Sequence, residues 1–159
     1  MLLVIADTSP IRYLIQIGHI DLLHRLFAAV TIPTEVAREL SDPSAPPAVQ
    51  AWIKSPPVWL RVLDVVSTDD SAFVNLDPGE RAAIVIGLTL KADLILIDER
   101  RGYAAAVSKG LEVTGTLGIL DLAAKREWID LRDAIERLRQ TNFRYRKDLI
   151  DDLLRQHRR

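Results

Sequence analysis

Two short apolar runs in this chain each end in an aspartate. Leu2-Leu3-Val4-Ile5-Ala6 leads into Asp7, and Leu94-Ile95-Leu96-Ile97 leads into Asp98. Two segments that open helices carry further carboxylates, Thr34-Glu35-Val36-Ala37-Arg38-Glu39 and Asp77-Pro78-Gly79-Glu80. Acidic side chains at the carboxyl ends of parallel strands converge on one crevice of an α/β sheet. The chain has no cysteine, and its three histidines lie elsewhere. A cluster built from carboxylates alone suits a hard, oxygen-preferring cation, Mg²⁺ or Mn²⁺.

Each carboxylate also has a structural role to weigh. Asp7 sits at the mouth of a buried strand, and the adjacent Ser9-Pro10 is able to start the next helix, with Ser9 as N-cap and Pro10 at the first helical position. That leaves the Asp7 carboxylate in need of a hydrogen-bond partner or a cation. Thr8 and Ser9 are candidates to orient water on that cation. Asp98 stands in the same relation to its own strand, with a rival role as cap of the following helix. Glu99 is a weaker candidate, and Arg100 and Arg101 can pair with it or meet a phosphate. Asp77-Pro78-Gly79-Glu80 reads as a capping box, with Asp77 as the cap and Glu80 folding back onto the backbone. Gly79 in the first turn costs helix stability and permits close approach of backbone or ligand, which keeps Glu80 a site candidate. Glu39 lies at the border of its helix's buried stripe, and Glu35 one turn earlier shares nearly the same face.

The elements that must position these groups alternate between strand and helix. Residues 2–7 read as a buried strand. A helix follows with the stripe Ile11, Leu14, Ile15 and Ile17, ending at Gly18, and a second helix covers about 20–27. Residues 30–32 form a brief strand before Pro33 and Thr34 start a helix to about Leu40. A Pro- and Ser-rich loop over 41–47 precedes a short helix near 48–54, and 58–66 is extended. Asp77 caps a nearly all-apolar helix to about Leu90, which is expected to be deeply packed. Then come a strand at 94–97, a helix from Arg100 to Ser108 stopped by Lys109-Gly110, a strand at 111–114, and a helix opened by Gly115-Thr116. The last third is helical, with Leu131, Ala134, Ile135 and Leu138, then Leu149, Ile150, Leu153 and Leu154, at helical spacing. This alternation implies a three-layer α/β/α sandwich with a mainly parallel central sheet.

The 159 residues, 48% hydrophobic and 27% charged, are enough for one compact domain with an ordinary core. The lack of cysteine excludes disulfide frameworks and thiolate chemistry. The amino terminus lacks the basic region and the length of a signal peptide. No apolar run approaches the ~20 residues of a membrane span. A cytoplasmic protein with no membrane association is expected. The net charge of −1 does not announce a nucleic-acid binder. Its distribution is uneven, with 10 basic against 15 acidic residues over 1–124 and 11 against 7 over 125–159. A basic terminal segment can touch phosphate, though Arg-rich helical surfaces also serve simply as solvated faces.

Taken in order, Val4-Ile5-Ala6-Asp7-Thr8-Ser9-Pro10, Ile32 through Leu40, Leu76 through Ile84, Leu94 through Glu99, and Gly110 through Gly118 resemble the PIN-domain nucleases. The likeness is closest to a PIN-like family of prokaryotic proteins associated with toxin–antitoxin operons. It covers about 1–125, the catalytic core, with 126–159 as a C-terminal helical segment of the same domain. The resemblance implies a divalent-metal-dependent ribonuclease, the toxin of a type II toxin–antitoxin pair. Asp7, Glu39, Glu80 and Asp98 would be its catalytic, metal-binding quartet. RNA would be the substrate, and an antitoxin protein and a second copy of the chain (through faces such as 11–27 and 131–154) are candidate partners. One departure stands out: many family members place an aspartate inside the middle helix, where this chain offers Glu80 at the first turn. Two alternatives remain. One is a catalytically vestigial PIN-like protein-binding module. The other is a haloacid-dehalogenase-like phosphatase, which needs a second aspartate where this chain has Ser9.

Overall fold

The structure is a computed structural model describing residues 2–65, 73 and 75–157. The chain runs β1 (Val4–Ala6), α1 (Thr8–Gln16), α2 (Asp21–Phe27), β2 (Val30–Pro33), α3 (Thr34–Ser41), α4 (Pro47–Lys54) and β3 (Leu60–Leu63). It continues with α5 (Pro78–Leu90), β4 (Leu94–Leu96), α6 (Arg100–Ser108), β5 (Val113–Thr114), α7 (Thr116–Lys125), α8 (Leu131–Arg139) and α9 (Lys147–Gln156). The strands make one sheet in the order β3-β2-β1-β4-β5, and every neighbouring pair is parallel.

A parallel sheet covered on both faces needs strands that are apolar at consecutive positions, which is how β1 and β4 read. Alternation along them feeds two layers. Val4, Ala6 and Leu96 join a core with Ile11 and Leu14 of α1, Leu23 of α2, Ile119 of α7 and Leu138 of α8. Ile5, Ile95 and Ile97 face the other layer, built on Ala83, Ile84 and Ile86 of α5 and Ala106 of α6. The result is the expected α/β/α sandwich. Among the described residues no helix is long and apolar enough to cross a membrane.

The strand order sets the place of the chemistry. From β1 the chain builds outward through β2 to β3, then returns to lay β4 and β5 on the other side of β1. The order therefore reverses between β1 and β4, and crevices open at such switch points beyond the carboxyl ends of the strands. Ala6 is in register with Leu96, and the Asp7 N–H donates to the Leu96 carbonyl at 2.9 Å. Asp7 and Asp98 thus leave adjacent strands at the same end of the sheet.

Several local expectations need correction. Helix α1 starts at Thr8, with Asp7 in the cap position and extended (φ −80°, ψ 175°), instead of at Pro10 behind a Ser9 cap. Pro10 is tolerated at the third helical position because first-turn N–H groups have no helical acceptor. Strand β3 covers only Leu60–Leu63 of the expected 58–66, and Val66 lies outside the described residues. Strand β5 is two residues long because the Leu111 N–H is used on the Ala106 carbonyl at the end of α6, not on the sheet. Asp98 does not cap α6: Glu99 occupies that position, without a side-chain capping bond.

Candidate metal centre

Asp7 is the most buried of the acids, 3% exposed, and its Oδ1 has no hydrogen-bond partner. Because α1 makes no side-chain capping bond to Asp7, the carboxylate is not consumed by the helix it precedes. Glu39 approaches from the last turn of α3, where Val36 and Leu40 anchor the buried stripe and leave position 39 at its edge. Its Oε2 accepts a hydrogen bond from the Thr8 hydroxyl. The Thr8 hydroxyl thereby fixes the Glu39 carboxylate beside Asp7.

The start of α5 supplies the next groups. The Asp77 Oδ1 accepts from the Glu80 N–H at 2.8 Å, and Glu80 Oε1 accepts from the Asp77 N–H at 3.4 Å, completing the capping box read from the sequence. Capping does not exhaust either residue. Asp7, Glu39 and Asp77 each present an oxygen within 4.8 Å of the others. Glu80 is 4% exposed, and its Oε2 is buried without a partner. Sequence reasoning treated Asp77 as a cap rather than a ligand; the fold brings it into the acidic cluster while it caps. Of the expected quartet, Glu80 and Asp98 stand outside that three-residue cluster, as do Glu35 and Glu99.

Asp98 is held differently. Its Oδ1 accepts from the Thr116 N–H and its Oδ2 from the Thr116 hydroxyl, both at 2.7 Å. It thereby serves the first amide of α7, whose own cap position is Gly115. Its charge still reaches Asp7. Among the described residues no lysine or arginine forms an ion pair with any of these five carboxylates.

Three glycines make the crowding possible. A Cβ at Gly79 would stand 2.8 Å from Glu39 Oε1 and 3.1 Å from Asp7 Oδ1. A Cβ at Gly115 would stand 2.5 Å from Asp98 Oδ1, and one at Gly102 would collide with Glu80 Oε2. The Gly79 N–H also donates to Glu39. Bare backbone lets helices α5, α6 and α7 close around the acids.

Unpaired acids in such a place resist ionising. Burial pushes Asp7 up to about 8, reinforced by the charges of Asp77, Glu39 and Asp98 and partly offset by the Thr8 N–H. Burial pushes Glu80 up to about 8 as well, with Asp77 and Asp7 adding to it. Glu39 is raised mainly by burial against the opposing bond from Thr8. Asp98 is raised by burial despite the two bonds from Thr116.

This donor set fits a divalent cation. Its groups are all oxygens, two buried oxygens lack partners, and the acids face one another with no lysine or arginine paired to them among the described residues. The Asp7, Glu39 and Asp77 oxygens lie within 4.8 Å of one another, near enough to share one ion.

A family model described as a PIN domain matches residues 3–159. The chain belongs to the PIN-domain family, a nuclease fold. No curated protein and no solved structure matches it.

Proposed function

We propose that this protein is a divalent-metal-dependent endoribonuclease, acting as the toxin of a type II toxin–antitoxin pair whose partner protein restrains it. One observation carries the nuclease reading: the buried Asp7, half-buried Glu39 and exposed Asp77 carboxylates, with no ion pair to a basic side chain among the described residues, meet at the switch point of a PIN-family sheet. The toxin role rests on the resemblance of the ordered motifs to operon-associated PIN-like proteins.

Asp7, Glu39 and Asp77 would hold the ion, with Glu80 and Asp98 flanking it directly or through water. A bound Mg²⁺ or Mn²⁺ would supply Lewis-acid stabilisation of charge on the phosphodiester and an ionised water at neutral pH. The Thr8 hydroxyl keeps the Glu39 carboxylate turned toward Asp7, and Thr116 keeps Asp98 at the crevice. Glu80, raised to about 8 without metal, would have to release its proton as the cation binds before it could serve beside the ion. Family membership favours phosphodiester cleavage over the haloacid-dehalogenase-like alternative.

The deciding experiment follows cleavage of a labelled RNA by the wild type and by Asp7→Asn, in EDTA, Mg²⁺ and Mn²⁺. Cleavage by the wild type alone, and only with metal, is expected. A wild type that binds Mn²⁺ in calorimetry without cutting RNA or DNA would overturn the nuclease reading. Absence of both binding and cleavage would leave the vestigial protein-binding module in its place.

A further inference from the structure

A groove of ≈ 760 Å³ opens beside Asp98, between α6 and the segment leading into α9. Its lining includes Arg100 and Tyr103 on one side and Phe143, Arg144 and Tyr145 on the other. Tyr103 is 42% exposed and Tyr145 37% exposed, so both rings meet solvent. The Tyr103 hydroxyl donates to the Val113 carbonyl at 3.3 Å, which steadies the ring from its edge. Phe143 stacks on Tyr145 with centroids 6.3 Å apart and 19° between planes, and Tyr13 meets Phe143 edge-on at 5.0 Å. Arg146, also at the groove, is neutralised by Asp148 at 2.7 Å. Arg100 and Arg144 have no ion-pair partner among the described residues.

Aromatic faces beside unpaired guanidinium groups match a polymer that offers planar bases and phosphates at short intervals. A duplex keeps its base faces stacked inside the helix, so only an unpaired strand can use these rings. An acidic peptide would satisfy the arginines and leave the ring faces idle. Asp98 lies in the lining, which sets the groove beside the carboxyl end of β4 and next to the acids.

We propose that this groove seats a nucleotide of single-stranded RNA next to the cleaved phosphodiester. Tyr103 and Tyr145 stack its base, and Arg100 and Arg144 hold its phosphate. The assignment rests on the nuclease reading for its biological meaning, and its test separates the two. Binding of a labelled RNA decamer and of a hairpin duplex of equal length is measured by fluorescence anisotropy in EDTA, where cleavage plays no part. The single strand is expected to bind at least about tenfold more tightly than the duplex, and Tyr103→Ala and Tyr145→Ala to weaken it about five- to a hundredfold each. Tyr103→Phe and Tyr145→Phe, which retain the rings, restore binding. Arg144→Ala lowers the salt dependence by about one counterion.

The assignment is overturned if the alanine variants bind like the wild type, if the two RNAs bind equally or not at all, or if a polyglutamate peptide binds as tightly as the decamer. A wild type that cuts RNA with Mn²⁺ while its groove variants bind unchanged refutes the groove alone. The expected binding pattern without any cleavage refutes the nuclease reading alone.

Discussion

Replacing Asp7 by asparagine is expected to make the metal-free protein more stable, although it removes the central group of the site. The carboxyl is pushed from 3.8 to about 8, chiefly by burial. Below about pH 4 both folded and unfolded chains carry the proton, and no stability is lost. As the pH rises from 4 to 8 the unfolded chain releases a proton that the folded chain retains, and stability falls by about 1.4 kcal/mol per pH unit. The loss is roughly 2 kcal/mol at pH 5 and roughly 4 kcal/mol at pH 7. Asparagine has nearly the same shape and no proton to lose, so its variant escapes this slope. At about 2–4 °C per kcal/mol for a chain of this size, the metal-free melting temperature should rise by about 4–8 °C at pH 5 and about 8–16 °C at pH 7.

The assay is a pair of melting curves in EDTA, followed by circular dichroism at each pH. Adding Mn²⁺ should then reverse the ranking, because a ligand stabilises only the protein that binds it. A variant that melts at or below the wild type at pH 7 in EDTA would refute the claim that burial without a counter-charge governs this site.

Metal binding should also release about one to two protons per protein at pH 7, since Asp7 and Glu80 both sit near 8 without metal. Calorimetry of Mn²⁺ binding in buffers of different ionisation enthalpy measures the number, and zero released protons would contradict it. Gly79→Ala places a methyl 2.8 Å from Glu39 Oε1. Because Glu39, held by Thr8, must then give way, Mn²⁺ affinity in calorimetry and RNA cleavage should drop, cleavage by about a hundredfold. Leu138→Ala, at a position 1% exposed in the core beneath α1, should cost about 2–5 kcal/mol in urea unfolding. A cost below 1 kcal/mol would show that α8 adds little to that core.

The Asp77–Glu80 capping box and the Arg100–Ser108 helix could be read directly, because both are set within a few neighbouring residues by cap chemistry and a glycine stop. The start of α1 departs from the sequence expectation for the same local reason. Ser9-Pro10 is a sound cap by itself, but Asp7 in extended backbone at the end of β1 lets the helix begin two residues earlier. The groove walls gave only a weak signal, an excess of basic residues after position 124, because aromatic and guanidinium groups from α6 and the 143–146 segment meet only after folding.

By themselves, the residues determined which side chains stand at strand ends, that those side chains are oxygen donors, and which faces of the helices are apolar. Only the tertiary structure decided that Asp77 joins Asp7 and Glu39, that Thr8 holds Glu39, and that both oxygens of Asp98 serve Thr116. The physical reason is range. Helix caps and periodicity act over a few residues, whereas the environment of a carboxylate depends on the order in which distant strands are laid beside β1 and on how closely glycines let three helices approach.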